Sequence, residues 1–393
     1  MSLKSISLFE TLHNVEQIAR EFGIGGTMIE GGAFGNGLIN DTLAATFEED
    51  GRKRRFVLQR INHNVFKDPR SLMQNVERVC GHIRARLERD QADQINRRSL
   101  TLLRKGDGST LHYDSGKDHY WRCYRYVNHC TSYDVVATED QAYQAARKFA
   151  EFQKLVADMP EPRLIETIPD FHNTPKRFAA LEKAIAADAR GRVAECADEI
   201  AFALRRKAMA SHLLDLHGAG HIPERITHND TKLGNVLICD MSGTGMCVVD
   251  LDTVMPGLSL YDFGDLVRTC VSPGEEDTKD LSTIYLRKPM FEALARGFLE
   301  ELGEILTPAE KANLAFAGKL LTFEVGIRFL TDYLMGDVYF GIKRPEHNLD
   351  RCRTQFRLVQ SIEEAEPELE GFLDDLAPEA DATTRFRLDA SPK

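Results

Sequence analysis

Apolar positions recur with two different periods along the chain. In the first third the period is that of strands. Thr27–Glu30, Leu38–Phe47 and Arg54–Arg60 carry strand-like residues separated by Gly-rich or charged turns. Ser99–Leu103, Thr110–Tyr113 and His119–Tyr126 continue the pattern, with a turn at Lys105–Gly108. One helix interrupts it: Leu72, Val76, Val79, Ile83 and Leu87 share a face of Ser71–Glu88. After about Asn128 the helical period takes over. It predicts helices over Asp140–Val156, Pro175–Asp188 and Ala194–His217, a β-rich insertion at Pro223–Thr253, and helices at Leu260–Thr269, Pro289–Leu302, Pro308–Met335 and Glu346–Ser361.

This layout predicts an α+β chain of two lobes: a small β-rich N-lobe over residues 1–128 and a larger, mainly helical C-lobe over 129–378. Residues 379–393, rich in Ala, Asp and Thr, read as a weakly ordered tail. No internal repeat or low-complexity block is present.

Composition narrows the function. The chain is 42% hydrophobic and 28% charged, which is ordinary for a globular protein. Its formal net charge is −11, a poor basis for general nucleic-acid binding, which draws on clustered Lys and Arg. No apolar run approaches the roughly 18 residues of a membrane helix, and Met1–Glu10 lacks a signal-peptide layout. The 8 cysteines are scattered without a C-x-x-C pair, as in reduced, cytoplasmic proteins. Nothing in the chain implies a protein partner.

The stretch richest in chemistry is Ile226–Ile238, which contains His228, Asp230, Lys232 and Asn235 in an H-x-D-x-K-x-x-N pattern. Downstream, Cys247–Asp252 is an apolar run that ends in Asp250 and Asp252. Phosphoryl transfer needs this set. A carboxylate, Asp230, orients a hydroxyl and takes its proton. A cation, Lys232, offsets phosphoryl charge. Hard oxygens from Asn235 and Asp250 suit Mg²⁺. Asp252 is open between a second metal ligand and a solvated partner of a nearby base. His228 reads as a loop-holding residue, with direct acid–base chemistry the alternative.

At these residues the chain resembles the aminoglycoside phosphotransferase and choline kinase superfamily, small-molecule kinases with a protein-kinase-like fold. Phe56–Asn62, Leu72–Glu77, Thr227–Leu233, Val249–Gly257, Gly326–Leu330 and Pro345–Leu349 carry the likeness further, toward the N-acetylhexosamine 1-kinases. It runs from about residue 9 to 365. The resemblance implies ATP as co-substrate, Mg²⁺ as cofactor, and a free sugar phosphorylated on its anomeric hydroxyl. It implies that Asp230 is the base and that Asn235 and Asp250 hold the metal. In Tyr261–Asp265 it implies that Asp262 supports the catalytic loop, for which the residue-level alternative is a helix N-cap.

In the N-lobe, Gly32, Gly35, Asn36 and Gly37 belong to a Gly-rich segment between two strands, suited to close backbone approach to phosphates. The strand after it has Gln59 where protein kinases place a phosphate-binding Lys, which puts the usual ion pair to Glu77 in doubt. Arg60, Lys67 and Lys232 are candidate replacements, with Lys232 favoured because Arg60 alternates to the other face. Tyr126 lies in the Tyr124–Asn128 segment expected to flank adenine. For the acceptor, Arg328 and Asp332 stand at i,i+4 with Tyr339 beyond the helix end. A surface ion pair is the plainer reading, while the resemblance places Arg328 and Tyr339 at sugar-contacting positions. Rival readings are another small alcohol (choline, homoserine, a methylthio-sugar or an aminoglycoside), a non-catalytic nucleotide-binding module, or a metal-dependent hydrolase.

Overall fold

The structure, a computed structural model, describes residues 8–35 and 39–376, with side chains from residue 15 onward. The chain divides into two compact units. The first holds the described residues up to Cys130 together with Asp158–Ile168 and Met246–Met255, and the second holds the rest.

The first unit is built on a five-stranded antiparallel sheet. Its strands are β1 (Thr27–Ala33), β2 (Asp41–Glu49), β3 (Arg52–Ile61), β4 (His112–Asp114) and β5 (His119–Arg125), in the order β1-β2-β3-β5-β4. Strand alternation sorts its side chains onto two faces. Leu43, Ala45, Phe47, Phe56, Leu58, Trp121 and Cys123 point to one face. There they bury against Val15, Ile18, Ala19 and Phe22 from an N-terminal helix, Leu8–Glu21, and the loop after it. Gln59 and Arg122, directly paired in the β3–β5 register, alternate to the other face. The predicted helix is Pro69–Arg89, started by Asp68, whose carboxylate accepts the Arg70 and Ser71 N–H groups. Two details depart from the sequence reading. The Leu8–Glu21 helix was not predicted. Ser99–Leu103 forms only an isolated bridge, Leu102 to Tyr124. The predicted start of the second strand, Leu38, lies outside the described residues.

The second unit is mainly helical. Its long helices are Glu139–Val156, Thr174–Ala187, Ser259–Cys270, Lys288–Leu302, Leu314–Met335 and His347–Leu376. Thr138 begins the first with a capping box to Gln141. The predicted helix Ala194–His217 is broken into short α and 3-10 pieces, and Pro308–Met335 is interrupted at Asn313. The final helix outruns its predicted end and passes through Pro367 to Leu376. Gly264 lets two helices meet: a Cβ there would lie 2.5 Å from the Ala317 carbonyl oxygen on Leu314–Met335. Among the described residues no helix is long and apolar enough to cross a membrane. All 8 cysteines are buried, and none is joined in a disulfide.

Candidate active site

The short strand Arg225–Thr227 leads into a loop that carries His228, Asn229 and Asp230. The chain reverses at Asn229, whose φ of 65° is the left-handed region that Asn tolerates better than most residues. Its side chain is fixed by Thr227, which donates Oγ1 to Asn229 Oδ1 at 3.0 Å and accepts Nδ2 on its carbonyl at 3.2 Å. The loop closes in a 3-10 turn, Leu233–Asn235. Asn235 is buried there, and its Nδ2 donates to both the backbone oxygen and Oδ2 of Asp230, each at 2.8 Å. The amide oxygen of Asn235 is therefore the atom left to face a cation.

Asp230 is 30% exposed at its side chain and lies 2.9 Å from the Lys232 ammonium. Burial pushes its carboxyl upward. Lys232 and His228, with hydrogen bonds from Lys232 and Asn235, outweigh burial and hold it below the usual carboxylate range. A carboxylate so held stays ionised, as a hydroxyl-orienting base must.

The loop is fastened from below by the helix Ser259–Cys270. Asp262, fully buried, accepts the backbone N–H of Asn229 at 2.7 Å and that of His228 at 2.9 Å. Gln153 adds a third donor at 2.6 Å. Burial pushes the Asp262 carboxyl up, against the opposing pull of His228 and the donated N–H groups. One turn on, Asp265 accepts the Thr231 N–H at 2.8 Å and is paired to Arg268. Asp262 thus contacts the loop from inside the helix rather than as its N-cap. The sequence reading passed over Asp265, although its spacing of three from Asp262 was a signal. His228 is buried edge-on between Phe149 and Phe152, with ring centroids 5.1 and 5.8 Å away. Its Nδ1 accepts the Asp230 N–H at 3.3 Å.

A second buried group that sequence reasoning missed also reaches the loop. His172 stands with Nδ1 at 2.9 Å from Glu324 and Nε2 at 3.3 Å from the Asn229 carbonyl oxygen. Thr174 donates to the other oxygen of Glu324 at 2.6 Å. On the same helix as Glu324, Arg328 lies over the rings of Phe171 and Phe340, at 5.4 and 5.6 Å. Asp332 does not pair with it. It is buried, and it accepts the backbone N–H groups of Val338, Tyr339 and Phe340 at 2.8–2.9 Å and the Asn348 amide at 2.9 Å. The expected i,i+4 pair is thus replaced by a carboxylate that shapes the loop carrying Tyr339, which is exposed.

In the first unit Asp250 precedes the 3-10 turn Leu251–Thr253 and adopts φ 61°, a conformation non-glycine residues hold only with support. Asp252 is buried and ion-paired to Arg122. It is therefore paired with a base but buried, not solvated as the sequence reading had it. Gln59 accepts from Arg122 Nε at 3.0 Å and donates to Thr42 at 3.0 Å. Arg60 pairs with Asp41. Glu77 accepts the Thr110 hydroxyl and has Arg104 at 3.9 Å. Gly32 lies in β1, and Gly35 turns with φ 74°. Asn36 and Gly37 lie outside the described residues. Tyr126 meets Phe34 edge-on at 5.7 Å and carries the Arg55 guanidinium 4.3 Å from its ring centre. Among the described residues no group of three or more His, Cys, Asp or Glu side chains is gathered for a metal. The Asn235 amide oxygen and the Asp250 carboxylate are each hard oxygen donors of the type Mg²⁺ takes.

Residues 31–307, more than half of the chain, match the model of the phosphotransferase enzyme family. The chain belongs to that family. Solved structures share its fold at low identity. An aminoglycoside phosphotransferase from Alicyclobacillus acidocaldarius is 13% identical with a TM-score of 0.57, the match covering 88% of this chain and 93% of that one. A choline kinase from Cryptosporidium parvum is 12% identical with a TM-score of 0.54, covering 93% and 99%. A spectinomycin phosphotransferase, solved with AMP bound, is 13% identical with a TM-score of 0.52, covering 90% and 98%. This phosphotransferase therefore has the mixed α+β, kinase-like architecture of that superfamily, with an N-terminal antiparallel sheet and a larger helical part.

Proposed function

We propose that this phosphotransferase is an ATP- and Mg²⁺-dependent kinase that transfers the γ-phosphoryl to the anomeric hydroxyl of an N-acetylhexosamine or a related free hexose. The observation that carries the reading is Asp230: a part-exposed, ionised carboxylate on a loop whose backbone is fixed from beneath. It orients the sugar hydroxyl and accepts its proton as the new O–P bond forms and the bond from the γ-phosphorus to the leaving ADP oxygen breaks. Lys232 is the charge assigned to the moving phosphoryl group. Asn235 and Asp250 are assigned to Mg²⁺, which offsets phosphate charge when bound. Gly32, Gly35, Asn36, Gly37, Gln59 and Tyr126 are assigned to the nucleotide, residues 1–128 to a nucleotide lobe and residues 129–378 to a catalytic lobe. His228 and Asp262 hold the loop.

The acceptor assignment rests on charge. Arg328 and Arg177 both converge on Phe171, Arg328 over its ring and Arg177 donating to its carbonyl oxygen at 2.9 Å. Burial and the nearby Arg328 hold the Arg177 guanidinium below its usual range. Two neighbouring guanidiniums, one of them over the ring, repel a quaternary amine, which calls for an uncharged aromatic cage. They suit a neutral polyol, with Tyr339 as a further hydrogen-bonding group and Asp332 as the residue that fixes its loop.

The test is an acceptor screen with ATP and Mg²⁺, reading ADP release and locating the new phosphate by ³¹P NMR. We expect turnover on N-acetylglucosamine, N-acetylgalactosamine or a related hexose, with the phosphate at C1. Turnover only on choline, homoserine, a methylthio-sugar or an aminoglycoside would replace the sugar reading. Asp230→Asn should abolish turnover with ATP binding nearly intact, and unchanged turnover would remove the proposed base.

A further inference from the structure

Strand β3 offers Gln59 where a kinase strand offers lysine, so the fixed cation of this sheet face must come from elsewhere. It comes from the neighbouring strand. Arg122 is Gln59's direct partner in the β3–β5 register, and its side chain is fully buried. A guanidinium persists in such a place only when it is paired. Its partner is Asp252, itself 2% exposed, whose Oδ1 accepts from Arg122 Nη1. Asp252 Oδ2 accepts from Asn40 Nδ2 at 2.6 Å, so both carboxylate oxygens are engaged. Thr167 Oγ1 holds the Asp252 backbone oxygen at 2.8 Å. Gln59 is the residue this network requires, since its Oε1 accepts from Arg122 Nε at 3.0 Å, whereas lysine would set like charges together.

We propose that Arg122 is the positioning residue of this site. It takes over as the fixed cation of the sheet and holds Asp252 as its counter-ion, so that Asp252 anchors the turn Leu251–Thr253 and does not ligate the metal. The pairing ties four segments of the first unit to one charge: the end of the Gly-rich segment through Asn40, β3 through Gln59, β5 through Arg122, and the turn through Asp252. The anchored turn begins at Asp250, whose left-handed backbone needs that support. The metal part of this proposal rests on the kinase reading, whereas the ion-pair part does not.

The test compares Asp252→Asn, Arg122→Met and the double variant by thermal melting, Mg²⁺ half-saturation of turnover, and Mn²⁺ binding to the nucleotide-free protein. Each single variant strands a buried charge or its partner, so each should melt several degrees lower, and the double should regain most of that loss. Asp252→Asn should lower kcat about tenfold or more while metal half-saturation stays within about twofold, as expected of a group acting through another. A metal half-saturation raised about tenfold at unchanged melting temperature would make Asp252 a ligand and overturn the proposal. Gln59→Lys provides a milder probe should the single variants not fold. It should melt lower, and Gln59→Lys/Arg122→Met should recover. An unchanged or raised melting temperature in Gln59→Lys would equally overturn the pairing. If no acceptor is turned over at all, the kinase reading fails, and the melting comparison still decides the ion pair.

Discussion

Asp262 Oδ1 accepts the backbone N–H of Asn229 at 2.7 Å, from a carboxylate that is fully buried. Its other oxygen takes the His228 N–H and the Gln153 amide. Every group around Asp262 in this network is a donor, so only an acceptor on both oxygens satisfies them. Asp262→Asn turns an NH₂ toward one of these donors. Leaving a buried donor unpaired costs about 1–3 kcal/mol. The variant should melt lower and lose most of its kcat, because the backbone that aims Asp230 is released. The check is a melting curve beside the rate. Full activity in Asp262→Asn would show that the loop holds itself.

The Lys232–Asp230 distance of 2.9 Å predicts a pH effect. Asp230 is held below the ordinary carboxylate range, so its side chain is ionised at neutral pH. By linkage, the stability its ionised form contributes is present above 3.8 and is lost as pH falls through the folded value. Lys232→Met removes the leading downward influence and leaves burial, which pushes upward. The acid limb of kcat/KM should therefore move to higher pH, alongside a fall in kcat from the lost charge on the phosphoryl. A profile from pH 4 to 8 is the measurement, and an acid limb that does not move would separate Lys232 from the base.

His172 connects two groups that the sequence keeps far apart, Glu324 at 2.9 Å and the Asn229 carbonyl at 3.3 Å. Glu324 is fully buried. Burial alone would push its carboxyl up, but His172, Arg328 and Thr174 outweigh burial and hold it down. His172→Phe keeps the ring and removes both polar contacts. Since His172 supports the loop through the Asn229 carbonyl, kcat should fall while KM for ATP stays within about twofold. A rise in KM for ATP with kcat intact would place His172 in nucleotide binding.

Much of this was legible in the chain, for reasons that differ by element. The loop motif was readable because its residues are contiguous, so spacing alone places Asp230, Lys232 and Asn235 together. The β-to-helical change of period gave the fold class for the same local reason. The N-terminal helix is legible too, in Val15, Ile18 and Ala19 at helical spacing. What was not legible depends on long-range register. Arg122 pairs with Asp252 across 130 positions and His172 with Glu324 across 152, and no local period records either. Asp332 misled because i,i+4 spacing permits a pair with Arg328 but cannot outbid three backbone N–H groups that arrive from the following loop.

The last prediction concerns how the supporting helix is itself held. Asp262 and Asp265 flank Gly264, and Gly264 packs against the main chain of Leu314–Met335. An added Cβ would lie 2.5 Å from the Ala317 oxygen and 2.9 Å from both the Ala317 carbonyl carbon and Leu321 Cγ. The nearest neighbour is backbone, so it cannot turn aside as a flexible side-chain end would. Gly264→Ala must push the two helices apart, at an overpacking cost of about 1–3 kcal/mol. Because the displaced helix carries both loop-holding carboxylates, activity should fall before the fold is lost. Gly264→Ala assayed at 20 °C, well below its own melting point, should therefore show reduced kcat. A variant that melts lower but turns over normally at that temperature would show that the loop does not depend on the seating of this helix.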